Sequence, residues 1–265
     1  MAPRLGVLGW PVAHSRSPAI QNAALQAVGL GDWRYQLLPV PPALFAETVR
    51  ALPRAGFRGA NVTIPHKEAA LALAADASPS ARVIGAANTL IFGPDGDIYA
   101  DNTDAPGLIA TLPFDPAGRS ALVLGAGGSA RAVVWALLDA GAAEVRVWNR
   151  TPERARRLCA ELGGVPVQAA EPADLLVHCT SSGLDESGRM FNSLPVDADD
   201  VVTYSCVVDL VYRQWDTPLV SAARAHAVHT VDGLEVLIAQ GALSFERFTG
   251  TRAPIGAMRA AVRHE

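Results

Sequence analysis

One lysine stands in this chain, Lys67, among 22 basic residues of which the other 21 are arginine. Arginine serves a solvated surface charge well, but it cannot serve where an amine must give up a proton, because a guanidinium stays protonated. Lys67 follows "NVTIPH" at an expected strand-to-helix junction, where backbone geometry is well fixed, and Asp104 closes the segment "ADNTD". An amine that transfers a proton and a carboxylate that orients it would suit a carbonyl oxygen on which negative charge develops. The bland alternatives are a snorkelling helix lysine and an aspartate that caps a helix before "APGL". The rarity of lysine favours the chemical reading.

A second chemical signature lies at "ALVLGAGGSARAVV". An apolar run, the turn "GAGGSA" and a helical pattern together read as a dinucleotide-binding start. Gly125 would permit the tight bend and Gly127 the approach of a pyrophosphate, while Ala130 allows close helix–strand packing. Ala126, Gly128 and Ser129 complete the turn, with phosphates expected on the helix N-terminus. An NAD site commonly has an acid at the end of the next strand. This chain has "NRTPER" there: Asn149, Arg150 and Thr151, with Arg154 one helical turn on. Two guanidinium groups and two neutral side chains could clamp a 2′-phosphate, so NADP(H) is the expected cofactor rather than NAD. Thr151 is also placed to cap a helix starting at Pro152.

Strands alternating with helices must position these groups. "RLGVLGW", "RYQLLPV" and "GANVTIP" read as strands, with helices from about Ser17 to Val28, from about Pro42 to Leu52 and from near His66. "ANTLIF" and "DIYADN" flank "GPDG", a hairpin turn. "SALVLG", "EVRVWN", "DLLVHCT" and "CVVDLVY" are later strands, and the helix from about Ser129 to Ala140 ends at Gly141, an expected C-cap glycine. The expected fold class is α/β in two lobes, an α/β substrate domain and a Rossmann-like NADP-binding domain with an active-site cleft between them. The expected boundaries are residues 1–104, completed by 235–265, for the first lobe and 105–234 for the second.

Composition narrows the partners. The formal net charge is −4, without a basic block, which argues against nucleic acid or an anionic membrane. No apolar run approaches the roughly 18 residues of a membrane helix. The N-terminus has no signal-peptide core, and three cysteines without metal-type spacing suit a reducing cytoplasm. His226 and His229 lack an evident third ligand, and His14 and His66 read as packing residues, so no metal is expected. The expected partner is a small molecule, acting on a monomer or homodimer.

Eight segments carry a family resemblance. "GWPVAHSRSP", "NVTIPHK", "GAANTL", "DNTD", "VLGAGGSARA", "NRTPERA", "VYRQWDTPL" and "GLEVLIAQGALSF" resemble, in order and spacing, the shikimate 5-dehydrogenase family, from Gly6 to Gly250. The resemblance implies NADPH-dependent interconversion of 3-dehydroshikimate and shikimate in aromatic amino-acid biosynthesis. It implies that Ser15 and Ser17 hold a substrate carboxylate with Tyr212 nearby. It further implies that Asn61, Thr63, Asn88 and Gln240 contact ring hydroxyls and carboxylate, and that Gly233 belongs to the cofactor set. Ser17 is also placed to cap the helix that Pro18 begins, and Asn102 and Thr103 read as structural. A relative acting on quinate or a related cyclic acid is the alternative, and a non-catalytic NADP sensor is disfavoured by the presence of Lys67 and Asp104. Glu235 and Val236, Gln21, His178 and Phe248 depart from the family's usual residues, the first pair close to the expected nicotinamide position.

Overall fold

The computed structural model describes residues 2–184 and 189–263, and the chain divides into two units. The first comprises Met1–Gly107 and Leu237–Glu265, the second Leu108–Val236.

The first unit contains strands β1 (Arg4–Gly9), β2 (Arg34–Pro39), β3 (Phe57–Val62), β4 (Asp76–Ala77), β5 (Thr89–Phe92) and β6 (Ile98–Asp101). Between them run helices α1 (Ser17–Ala27), α2 (Phe45–Ala51), α3 (Lys67–Leu73) and α4 (Pro79–Ile84), followed by α5 (Asp104–Ile109). The sheet order is β2-β1-β3-β5-β6-β4. β1 pairs in parallel with β2 and β3, whereas β5 runs antiparallel to both β3 and β6. The "GPDG" hairpin is the cause of the second reversal. β1, β3 and β6 therefore end on one edge of the sheet, and the residues that follow them share that edge.

The second unit holds β7 (Ser120–Leu124), β8 (Glu144–Trp148), β9 (Val165–Val167), β10 (Ala173–His178), β11 (Tyr204–Asp209) and β12 (His229–Val231). Its helices are α6 (Gly128–Asp139), α7 (Pro152–Leu162) and α8 (Pro218–Ala225), with α9 (Gly233–Thr249) and α10 (Ile255–Ala260) closing the chain. The sheet is parallel throughout, in the order β12-β11-β10-β7-β8-β9. Strands covered on both faces should be apolar without alternation, and Leu122, Val123, Leu124, Leu176, Val177, Val207 and Val208 are all fully buried. The order reverses at β7, the switch point where such sheets bind dinucleotides.

Helix ends follow their sequences with three corrections. Gly141, at φ +83°, closes α6 with Ala142 N–H donating to Leu137 O and Gly141 N–H to Leu138 O, the expected glycine cap. Ser17 is the first residue of α1 rather than its cap; the cap position is Arg16, and Ser17 N–H instead reaches Ser15 Oγ at 3.3 Å. Thr151 does occupy the cap position of α7, but its side chain makes no capping bond. The cap bond at α5 comes from Asn102, whose Oδ1 accepts Ala105 N–H at 3.2 Å, so Asp104 is released from that duty. A side chain can accept from the N–H three positions on, which fits Asn102 and leaves Asp104 inside the first turn.

Helix α9 begins in the second unit and continues in the first. Within the first unit Ile238, Ala242, Phe245 and Phe248 recur at helical spacing and join the core of Leu5, Val7, Ile20 and Leu25. Gln240, Ser244 and Arg247 form a second line on the same helix, four and three residues apart. This polar line meets Asn88, Asn61 and Asp101 in turn.

Candidate active site

Lys67 is placed by β3 and its exit. Thr63 N–H donates to Leu8 O at 2.8 Å, tying that exit to β1, and His66 N–H donates to Thr63 O at 2.9 Å. His66 is buried and stacked on Phe45, with ring centroids 4.3 Å apart, and its Nε2 donates to Val40 O at 2.7 Å. The turn before Lys67 is thus fixed from both sides. The Lys67 amine donates to Asp104 Oδ2 at 2.6 Å, and the two side chains are 11% and 19% exposed. A pair at that depth is neither fully desolvated nor freely solvated, so a small molecule can still reach it.

Asp104 is held in turn. Asn88 Nδ2 lies 2.8 Å from Asp104 Oδ1, 2.9 Å from Thr103 Oγ1 and 3.1 Å from Gln240 Oε1. Asn88 Oδ1 accepts from Thr103 N–H at 2.8 Å. Gln240 can stand so close because Gly107 has no side chain: a Cβ there would fall 2.8 Å from the Gln240 backbone nitrogen. The three residues Lys67, Asp104 and Asn88, with Gln240, form one connected set.

Behind that set Asn61 Nδ2 donates to Ser244 Oγ at 2.8 Å, and Asn61 Oδ1 accepts from the Tyr35 hydroxyl at 2.8 Å. Ser244 is fully buried and also lies 2.9 Å from Thr103 Oγ1 and 3.1 Å from Thr89 Oγ1. Asn61 is buried, so most of its hydrogen-bonding capacity is met by protein groups. Ser15 and Ser17 follow β1, and Thr63 follows β3, on the sheet edge that also carries Lys67. Ser15 and Thr63 are half-buried and Ser17 is buried. Tyr212 follows β11 and belongs to the second unit, half-buried.

In the second unit Gly125 has φ +119°, and a Cβ on it would meet the Cys179 backbone at 3.2 Å. Only glycine fits there without strain. Around Gly127 a Cβ would find nothing within 4 Å, and Gly127 caps α6 with no side-chain bond. Ala126, Gly128 and Ser129 are half-buried around it, while Ala130 is fully buried against the sheet. Open space at a glycine-capped helix N-terminus is what a pyrophosphate needs. Asn149 Nδ2 donates to Thr151 O at 2.9 Å, shaping the exit of β8. Arg150 and Arg154 are exposed, and the nearby acids of α7 pair elsewhere, Glu153 with Arg156 and Glu161 with Arg131. These residues fit a dinucleotide that carries an additional phosphate. Gly233 is buried where a Cβ would press 2.6 Å from Val211 O, so its smallness is required by packing at the start of α9.

Two sets of residues are hidden from a one-dimensional reading. Ser244 and Tyr35 look like ordinary core-face residues in the sequence; their only signal is the polar spacing of Gln240, Ser244 and Arg247 along the last long helix. His178 stands out as a departure from the family, but its partner Asp209 does not, because the two are 31 residues apart and meet only through the pairing of β10 with β11. No group of three or more His, Cys, Asp and Glu among the described residues could hold a metal ion, and no helix among them is long and apolar enough to cross a membrane.

A parallel sheet with a glycine-rich turn at its switch point, in one chain with a lysine–aspartate pair on the edge of a mixed sheet, defines a nucleotide-dependent oxidoreductase. Residues 7–90 match the shikimate dehydrogenase substrate binding domain, residues 110–183 the shikimate / quinate 5-dehydrogenase family, and residues 233–263 the shikimate 5′-dehydrogenase C-terminal domain. The shikimate dehydrogenase (NADP(+)) of Paracoccus denitrificans is 46% identical over 95% of this chain and 92% of its own. The shikimate 5-dehydrogenase of Thermus thermophilus, solved with NADP(H) and shikimate, superposes with a TM-score of 0.86 at 41% identity, covering 98% of each chain. A ligand-free 5-ketofructose reductase of a Gluconobacter species superposes at 0.84 with 28% identity, over 99% of this chain and 98% of that one. The chain belongs to the shikimate dehydrogenase family.

Proposed function

We propose that this chain is an NADP-dependent shikimate dehydrogenase that reversibly reduces 3-dehydroshikimate to shikimate, a cytoplasmic step of aromatic amino-acid biosynthesis. The observation that carries the reading is the 2.6 Å Lys67–Asp104 pair, braced by Asn88 and Gln240, in a chain 46% identical to a relative of that name.

NADPH, when bound, supplies the hydride. The turn Gly125–Ala130 would hold its pyrophosphate, and Arg150 and Arg154, with Asn149 and Thr151, its 2′-phosphate. On the substrate side Lys67 gives a proton from Nζ to the carbonyl oxygen as negative charge builds there, and takes it back in the reverse direction. Asp104 keeps the amine aimed and stabilises its charged form. Asn88 holds Asp104 by the other carboxylate oxygen, so the pair cannot swing away when substrate arrives. Ser15 and Ser17 hold the substrate carboxylate. Thr63 and Gln240 meet ring hydroxyls, whereas Asn61 acts mainly by stiffening the wall through Tyr35 and Ser244. A site with so many polar groups discriminates against analogues that lack the matching hydroxyls, which would leave those groups unpaired.

Absorbance assays with shikimate and quinate, each against NADP and NAD, test the assignment. Turnover should be fastest with shikimate and NADP. Faster turnover of quinate would move the enzyme to the related acid, and no turnover with either would overturn the reading.

A further inference from the structure

We propose that His178 is a positioning residue for the cofactor, locking the segment that braces the glycine turn of the second unit. The proposal rests on the reading that this turn holds NADP.

His178 and Asp209 are both fully buried, at the ends of neighbouring strands β10 and β11. His178 Nδ1 lies 2.8 Å from Asp209 Oδ1 and Nε2 lies 2.5 Å from Thr180 Oγ1. A carboxylate accepts only, so Nδ1 carries the proton toward Asp209. Nε2 and the Thr180 hydroxyl share the second bond, and Thr180 Oγ1 accepts Ser182 N–H at 3.1 Å. On its far side Asp209 Oδ1 accepts Val211 N–H at 2.9 Å and Oδ2 accepts the Thr217 hydroxyl at 2.5 Å. Thr217 Oγ1 caps α8 by accepting Val220 N–H at 3.2 Å. The line from α8 to Ser182 is continuous and each of its polar side chains is paired.

The line ends beside the expected pyrophosphate. A Cβ built on Gly125 would meet the Cys179 backbone at 3.2 Å and Thr180 Cγ2 at 3.3 Å. Thr180 therefore faces the bend of the turn with its methyl group while its hydroxyl is committed to His178. Nothing in the proton chemistry of Lys67 uses this network, and a buried histidine–aspartate pair carries no hydrophobic advantage over a packed apolar pair. Its distinctive effect is directional: it fixes one rotamer of Thr180 and with it the Thr180–Ser182 turn. Were the arm to Thr180 cut, cofactor binding would have to order that segment, and affinity would fall.

Two substitutions cut the arm from opposite ends. In His178→Asn the side-chain amide can still donate to Asp209 but is too short to reach Thr180. In Thr180→Val the methyl group facing Gly125 stays and the hydroxyl goes. Each should raise the calorimetric Kd and the KM for NADP about three- to tenfold, the worth of one hydrogen bond. The KM for shikimate is the internal reference, and the fall in kcat should be smaller than the rise in the NADP KM. The double variant should be no worse than either single one, because both remove the same link. Lowered melting temperatures with unchanged NADP affinity in both single variants would overturn the positioning role and leave only a structural one. Wild-type protein that binds no NADP would instead overturn the underlying cofactor reading, so the two failures are distinct.

Discussion

The Lys67 amine and the Asp104 carboxylate meet at 2.6 Å, and the second oxygen of that carboxylate is held at 2.8 Å by Asn88. Asp104 is gripped at both oxygens, so the amine is aimed before any substrate binds. Preorganisation of this kind removes reorientation from the reaction barrier.

Replacing the amine should therefore damage turnover even when charge is kept. Lys67→Ala should lower kcat by about 10²–10⁴, the share of a positioned acid–base group. Lys67→Arg should be nearly as harmful, since guanidinium does not give up its proton. NADP affinity, measured by titration, should change little. Near-normal turnover in Lys67→Arg would show that positive charge suffices and would remove the proton-transfer role.

How much of this is readable in the sequence depends on distance along the chain. The glycine turn, the strand before it and the helix after it are local, and so "ALVLGAGGSA" declares itself. Lys67 is conspicuous through arginine bias alone. The caps at Ser17 and Asp104 are easily misassigned, because several small polar residues sit side by side in "HSRSP" and "DNTD". One-dimensional spacing does not say which of them takes the N–H. The network through Ser244, Tyr35 and Asn61 joins β2, β3 and α9, and the pair His178–Asp209 joins two strands. Such links exist only once sheet order is known.

Gly125 and Gly127 should fail in different ways. Gly125 at φ +119° faces the Cys179 backbone, so Gly125→Ala should lose about 1–3 kcal/mol of stability, seen as a lower melting temperature. A Cβ on Gly127 would meet nothing within 4 Å, so Gly127→Ala should fold and melt like the wild type. Its methyl group would occupy the space a pyrophosphate approaches, and the KM for NADP should rise. Equal melting temperatures for both variants would contradict the geometry of the bend.

Cofactor choice should depend on Arg150. The residue is exposed just after β8, where the sequence has Asn149 and Arg150 and no acid. Arg150→Ala should raise the KM for NADP by about tenfold to a hundredfold, the range of a charge-assisted hydrogen bond. The KM for NAD should hardly move. Equal damage to both cofactors would reject contact with the 2′-phosphate.

Thiol labelling offers a readout of the second unit that does not depend on turnover. Cys159 and Cys206 are buried, and burial raises both thiols, that of Cys206 to about 12. The thiolate is the reactive form, so neither should react readily at about pH 8. Cys179 is half-buried, and its backbone lies against Gly125 in the cofactor turn. A mild alkylating reagent should modify Cys179 first, as peptide mapping by mass spectrometry would show. NADP should slow the reaction, because a ligand seated on the turn covers and stiffens the adjoining segment, and shikimate alone should slow it less. A labelling rate indifferent to saturating NADP would place the cofactor away from Cys179 and count against the turn as its seat.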